Sequence, residues 1–196
     1  MLTVRSAVRL FGLALLVVAL LPLCAVAQAE PTEKPKLALP LRLEGVSANS
    51  GGAWPFWKAG LCTIRVKQWS SAAELAELRS IIEKSGQKGL EKAVKKMPVI
   101  ANVDGLEIAI ATLSPKEDGG SRLLLIMFRR TCHYNLHEEE HLLGAVQIDL
   151  DAENKGTGVL AGYTKVQISP DGILNVEAIG GPCVVFKELK VIAGKQ

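Results

Sequence analysis

The sequence lacks the short motifs by which several large enzyme classes are recognised. It contains no G-x-x-x-x-G-K-[ST] phosphate loop, no G-x-G-x-x-G dinucleotide fingerprint and no G-x-S-x-G nucleophile elbow. P-loop nucleotide hydrolysis, dinucleotide-dependent redox chemistry and α/β-hydrolase catalysis therefore have no support. The acidic stretch Asp149–Gly156 lacks the sixth-position Gly and the distal Glu of an EF-hand, so it predicts a polar hairpin turn.

A surplus of charge is also missing once the first 29 residues are set aside. That segment holds two of the 23 basic residues and none of the 20 acidic ones, so the remainder has a formal charge of +1. This balance gives no reason to expect a nucleic-acid partner. Lys88, Lys92, Lys95 and Lys96 form a basic helical face, for which a solvated surface is favoured over an anionic partner.

The first 29 residues have the organisation of a secretory signal peptide. Arg5 and Arg9 precede the apolar run Leu10–Leu23, and Ala27-Gln28-Ala29 supplies a cleavage site. The apolar run is short for a bilayer span, although an uncleaved anchor is the alternative. We expect a secreted or periplasmic protein with no transmembrane segment after cleavage. The expected organisation is a signal peptide at 1–29, a tether at 30–39 and a single domain at 40–196.

Cysteine is scarce after the leader, where only Cys62, Cys132 and Cys183 remain. An oxidising compartment lets disulfides persist, and an odd number permits one bridge and one free thiol. If the strands alternate in direction, Cys62 begins a strand at the end of the sheet where Cys132 leaves one. Cys183 then begins its strand at the opposite end. This count favours a Cys62–Cys132 disulfide among the three possible pairings.

The stretch Gly60–Asp104 has the clearest local signals in the chain. Ser71 and Glu74 form a capping box, which predicts a helix that ends at Gly86. A second, shorter helix follows and ends before Pro98, because proline disfavours helical geometry in the residue preceding it. We therefore expect a two-helix insert between strands.

The remainder of the chain predicts strands and turns. Asp104-Gly105 is a strong hairpin signal, and Arg122–Phe128 is apolar enough to be a strand buried on both faces. The predicted strands are Leu41–Val46, Cys62–Lys67, Val99–Val103, Leu106–Leu113, Arg122–Phe128, Leu143–Leu150, Gly158–Ile168, Ile173–Ile179 and Val184–Ile192. The expected fold class is α+β. It is mainly an antiparallel meander of about eight or nine strands, as a curled sheet or small barrel, with the two-helix insert after the second strand.

All three histidines lie in one short segment, at His133, His137 and His141. His137–His141 matches H-E-x-x-H, in which the histidines bind zinc and the glutamate, here Glu138, activates water. The segment is a short crossover between predicted strands, however, and three consecutive glutamates are typical of a solvated surface. A wet loop or short helix is therefore favoured, with adventitious metal binding and a zinc-dependent hydrolase as alternatives. We expect no cofactor, with zinc as the alternative.

Trp54-Pro55-Phe56-Trp57 holds three of the eight aromatic residues that follow the leader. Trp54 and Trp57 could form a stacking platform for a glycan or another flat ligand. A loop whose rings are tucked into the end of the sheet is favoured, because buried aromatics contribute strongly to core energetics without any ligand.

The stretch that holds the helices also resembles a known group. The segments T-I-R-V-x-x-W-S (Thr63–Ser70), G-Q-x-x-L-x-x-A (Gly86–Ala93), M-P-V (Met97–Val99) and I-D-L-D-A-E-N-K-G-T-G (Ile148–Gly158) resemble a small family of secreted bacterial proteins with no assigned activity. The resemblance covers Leu61–Leu189. It implies export and a shared fold, and it brings no catalytic residues.

These observations favour an exported, non-catalytic binding or envelope-associated domain. A zinc-dependent hydrolase that uses the histidine segment and a glycan binder that uses the tryptophans are the alternatives.

Overall fold

The structure, a computed structural model, describes residues 37–50, 59–128, 143–178 and 181–192. Within these ranges the chain forms eleven strands and one helix, α1 (Ala72–Val94). No helix among the described residues is long and apolar enough to cross a bilayer. The strands are β1 (Leu41–Asn49), β2 (Gly60–Val66), β3 (Ala101–Val103), β4 (Leu106–Ile108), β5 (Ile110–Pro115), β6 (Ser121–Phe128), β7 (Leu143–Leu150), β8 (Lys155–Ala161), β9 (Thr164–Ile168), β10 (Leu174–Ala178) and β11 (Val184–Ile192).

Nine of the strands form one antiparallel sheet, in the order β4-β3-β2-β1-β11-β8-β7-β6-β5. Its edge strands, β4 and β5, are separated in the chain only by Ala109, whose N–H donates to the carbonyl of Ile126 at 3.0 Å. Because one stretch of chain supplies both edges, the sheet curls into a nearly closed barrel. The prediction of a curled antiparallel sheet or small barrel is confirmed at this level. Strands β9 and β10 form a separate two-stranded hairpin.

Every second side chain of the sheet points into the barrel and fills it. Leu43, Ile64 and Phe186 have no exposed surface and belong to one apolar cluster with side chains from most of the other sheet strands. Trp69 and Leu113 pack against this cluster from its margin. The alternation of apolar and polar residues in β1, β2 and β11 therefore reflects one face in this core and one face outside it.

A second core lies on the outer side of the barrel. Leu124 and Ile126 of β6 point outward and pack with Leu78 and Leu90 of the helix and with Val166 of the hairpin. Alternate residues of β6, such as Leu125, point into the barrel, so this strand is buried on both faces. The double burial predicted for Arg122–Phe128 is confirmed. The helix and the hairpin thus form a second layer over one part of the sheet.

The helix begins as predicted, and its helical geometry breaks at the predicted position. Ser71 is the N-cap, and its hydroxyl accepts from the Glu74 N–H at 3.2 Å while Glu74 accepts from the Ser71 N–H at 2.7 Å. Gly86 has φ 61° and ψ −161°, so the helical geometry is interrupted there, yet the element resumes at once and continues to Val94. The expected two-helix insert is therefore confirmed in part: two helical stretches meet at Gly86 within the single element α1.

Two of the predicted strands are each divided in the structure. Leu106–Leu113 bends at Ala109 into β4 and β5, and Gly158–Ile168 breaks at Gly162-Tyr163 into β8 and β9. The apolar pattern continues through both breaks, so periodicity alone did not show them. The Asp104-Gly105 hairpin is confirmed, with φ 45° and 89° at the two residues.

The predicted Cys62–Cys132 disulfide is wrong with respect to Cys62, because Cys62 is a free thiol. Its side chain is only 2% exposed and lies in the core inside the barrel. Burial, with the nearby Asp104 charge, raises the pKa of the thiol to about 11. Cys183 is disulfide-bonded. The extra strand created by the break at Gly162-Tyr163 reverses the direction count on which the prediction rested.

We predict that Gly86→Ala destabilises the protein by about 1–3 kcal/mol, because this backbone geometry is accessible essentially only to glycine. An added Cβ would meet no atom within 4 Å, so the loss would be conformational rather than steric. Chemical denaturation measures it, with exposed Lys84→Ala as the control in the same helix. Equal stability of Gly86→Ala and the parent protein would show that the helix is continuous in solution.

We also predict that non-reducing peptide mapping links Cys183 to Cys132. Cys62 is free and Cys24 lies in the expected signal peptide, which leaves Cys132 as the partner. Alkylation should modify Cys62 only after unfolding, because the thiol is buried and protonated at neutral pH. A Cys62–Cys132 or Cys62–Cys183 peptide would contradict this assignment.

Candidate binding cleft

Apart from Cys62, the candidate site residues predicted from sequence lie outside the described residues. This holds for the proposed metal ligands His133, His137 and His141 and for Glu138. It holds equally for the tryptophan platform, Trp54 and Trp57, and for Cys132. The zinc and glycan hypotheses therefore remain predictions, and the site described below is built from other residues.

A cleft of about 520 Å³ opens where the helix, the hairpin and the outer face of β5 and β6 meet. Its floor is the outer face of the sheet, and its walls are the start of α1 and the residues that lead into β10. The lining residues are Ser70, Ala72, Leu75, Thr112, Leu113, Ser114, Pro115, Arg122, Leu124, Asp171, Gly172, Ile173, Leu174 and Asn175.

One wall of the cleft is a strand edge rather than a strand face. Four consecutive residues of β5, Thr112 to Pro115, line the cleft, whereas a face would contribute only every second residue. The N–H of Ala111 donates to the Ser70 hydroxyl at 3.2 Å, and the Ala111 carbonyl accepts from the Ser70 N–H at 2.9 Å. The backbone groups of Ala111 therefore point away from β6.

The backbone of Leu113 has the same orientation as that of Ala111, because hydrogen-bonding direction repeats every second residue along a strand. Its N–H and C=O point away from β6, and within the described chain β5 has no other partner strand. Pro115 comes next in this phase and offers only a carbonyl. The free edge is thus short and has one amide donor and two carbonyl acceptors.

The hairpin that forms the opposite wall is held by two polar contacts. The Gln87 side-chain amide donates to the Val166 carbonyl at 2.7 Å, and its oxygen accepts from the Val166 N–H at 3.0 Å. Gln87 thereby pairs with β9 as a neighbouring strand would. The buried Thr164 hydroxyl donates to the Leu143 carbonyl at 3.0 Å, which fixes the start of β9 against β7.

Polar groups are placed around an apolar base in the cleft. Leu75, Leu124 and Leu174 are each less than 10% exposed and form that base. The side chains of Thr112 and Asn175 make no hydrogen bond within the part of the chain that is described, so they can bond to a ligand.

Two charged residues, Arg122 and Asp171, lie at the rim of the cleft. Arg122 donates through Nε and a terminal nitrogen to the two oxygens of Asp149, at 2.7 and 3.3 Å. Partial burial raises the pKa of Asp149, but the hydrogen bond and charge of Arg122 outweigh it, so this pKa lies below its usual value. A hydrogen bond from Ser169 lowers the pKa of Asp171. The rim therefore carries one compensated ion pair and one exposed carboxylate at neutral pH.

A second groove, of about 370 Å³, continues from the cleft along the helix. It shares Ala72, Asp171 and Gly172 with the first and is bordered by Arg79 and Glu83, which form an ion pair at 2.8 Å. The accessible channel is therefore longer than the cleft alone and follows the turn of the hairpin.

Sequence analysis did not find this cleft, because its lining comes from four separate segments of the chain. Ser71 is recognisable from sequence as a helix start, but its proximity to the turn at Asp171 depends on the packing of the hairpin against the helix. One usable signal was Gln87, a polar residue in the inward-facing part of the helix. Its side chain is only part-exposed and pairs with a strand.

We predict that Gln87→Ala costs about 1–3 kcal/mol of stability, because it leaves the backbone groups of Val166 without their partner. Gln87→Met tests whether lost volume contributes, since it keeps the chain length without the hydrogen bonds. Hydrogen exchange should show a strong loss of protection at the Val166 amide in both variants. Unchanged protection would mean that the hairpin is held in place without Gln87.

The chain was also compared with known proteins. No family model, no curated protein and no solved structure matches it.

Proposed function

We propose that the protein is an exported, non-catalytic binding domain that binds an extended peptide segment in the cleft. The observation that carries the proposal is the free edge of β5, whose Leu113 N–H and C=O face a cleft of about 520 Å³. An extended peptide adds to such an edge through main-chain hydrogen bonds, as in β-strand addition. The pair between Ser70 and Ala111 already forms the first step of this ladder.

The rest of the cleft supplies what such a ligand needs beyond its backbone. Alternate side chains of a bound strand would face the apolar base formed by Leu75, Leu124 and Leu174. Thr112 and Asn175 provide hydrogen-bonding groups above this base, and Asp171 favours a basic residue near the hairpin turn. Affinity would thus come from the backbone of the ligand and selectivity from its apolar and basic side chains.

Two elements of the proposal rest on the sequence alone. Export follows from the signal-peptide organisation of residues 1–29, and an envelope-associated role is the other form that a non-catalytic exported domain can take. The zinc-hydrolase alternative would be supported by stoichiometric zinc that is lost in the His137→Ala, His141→Ala double variant. The glycan alternative would be supported by tryptophan fluorescence changes on a glycan panel.

We predict that peptides selected by the protein from a random-peptide phage library lose binding in Asn175→Trp and keep it in Glu177→Trp. Both positions are exposed on β10, but only Asn175 lines the cleft. The large indole at residue 175 should exclude a strand from the cleft. Isothermal titration with the selected synthetic peptides would measure the loss of affinity, expected to be at least roughly tenfold, which corresponds to about 1.4 kcal/mol of binding free energy.

Leu113→Pro provides the complementary test of the binding mode. It removes the free N–H without breaking a bond to β6, so binding should weaken while the fold is retained. Selected peptides that bind Asn175→Trp and Leu113→Pro as tightly as the parent protein would rule out strand addition at this edge.

A further inference from the structure

The outer face of β2, β1 and β11 is not covered by any element that the structure describes. The helix and the hairpin pack over the other side of the barrel, where they contact residues of β5, β6 and β7. The face of β2, β1 and β11, with the adjoining residue Val159 of β8, is called here the open face. It is distinct from the cleft and shares none of its lining residues.

An apolar strip crosses the open face. Leu61 on β2 is 92% exposed and lies directly opposite Val46 on β1, which is 37% exposed. Ala48 lies two residues further along β1 and pairs with Val185 on β11, which in turn pairs with Val159. Single exposed apolar residues are common on proteins, but a contiguous strip over four strands is typical of an interaction surface.

Basic residues lie to one side of this strip. The open face carries Arg42, Arg65, Lys67, Lys187 and Lys190, and its acidic residues are Glu44 and Glu188. Arg42 is paired with Glu44, whereas Arg65, Lys67, Lys187 and Lys190 form no ion pair within the described residues. The face therefore has a surplus of three positive charges, although residues 30–196 together carry only +1.

One pair of these charges is placed unfavourably for the isolated fold. Arg65 lies directly opposite Arg42 across β2 and β1, although Arg42 also pairs with Glu44, and Lys190 lies between Glu44 on β1 and Lys155 on β8. Like charges in directly opposed positions destabilise a sheet, so an anionic partner would relieve this repulsion. An exposed leucine on the same face as unpaired lysines and an unpaired arginine matches the two components of a membrane surface, anionic headgroups and an apolar layer beneath them.

We propose that the open face docks the protein on an anionic lipid surface. The headgroups are contacted by Lys187, Lys190, Arg65 and Lys67. Leu61, next to Val46, enters the apolar layer beneath the headgroups. The attraction is electrostatic at long range, so it weakens as ionic strength rises. This role is independent of the peptide cleft, and either one can fail without the other.

The test is co-sedimentation of the mature protein with vesicles of phosphatidylglycerol and phosphatidylcholine, and with vesicles of phosphatidylcholine alone. The protein is taken after export, and mass spectrometry confirms removal of the apolar leader, which would bind lipid by itself. We expect binding to the anionic vesicles only. Arg65→Glu with Lys187→Glu should reduce it at least roughly tenfold, since each basic residue contributes about a fivefold factor, and Leu61→Ser should also reduce it.

The matched control is Lys92→Glu with Lys96→Glu, which makes the same change of charge at exposed positions in the last turn of α1 and just after it. It should leave vesicle binding unchanged. Equal loss in both double variants would show charge attraction without a defined face and would overturn the proposal. It would likewise be overturned by no binding to anionic vesicles, or by a dimer in sedimentation analysis that Leu61→Ser dissociates, which would assign the face to a second copy of the chain.

Discussion

The fold depends on the double burial of strand β6. Its inward side chains, such as Leu125, complete the core of the barrel, and its outward side chains Leu124 and Ile126 form the base on which the helix and hairpin pack. Along β6 the outward-facing side chains change from apolar to charged at Arg122, which pairs with Asp149 on the neighbouring strand. The second layer ends at this change, and the cleft opens there. One strand therefore determines where the molecule has two layers and where it has an opening.

The corner at Gly86 and Gln87 joins the parts of that second layer. Glycine permits the turn in the helix, and the next residue uses its amide to pair with the backbone of Val166 on β9. The helix and the hairpin then present Leu90 and Val166 to the same outward side of β6. Gly86 and Gln87 therefore each have a structural role in this layer.

Much of this architecture could be predicted from local sequence. The capping box at Ser71, the Asp104-Gly105 hairpin and the strand Leu143–Leu150 all occur as predicted, because each depends on neighbouring residues alone. The break at Gly162-Tyr163 could not be predicted from periodicity, since apolar residues occur on both sides of it. There the chain leaves the main sheet to form a hairpin, and tertiary packing decides where this happens.

That single missed break accounts for the wrong disulfide. Counting Gly158–Ile168 as one strand places Cys183 at the opposite end of the sheet from Cys62. In the structure β1 pairs with both β2 and β11, with Ser47 opposite Gly60 and Asn49 opposite Val184, so the two strands begin at the same end. The position of Cys183 along the sheet therefore gave no reason to exclude it as a disulfide partner. The buried Cys62 instead serves as an apolar core residue, as unpaired cysteines commonly do.

The two proposed surfaces differ in the physics of recognition, and this difference bears on why sequence revealed neither. In the proposed mode the cleft would recognise its ligand through backbone groups of β5, whose availability depends on which strands lie beside it and not on the identity of Leu113. The open face recognises through side chains, but Leu61, Val46 and Val185 adjoin only because β1 pairs with both β2 and β11. In each case the relevant property belongs to the strand order. Substitutions in the cleft should therefore act through steric access to an edge, whereas those on the open face should act through charge and apolar area.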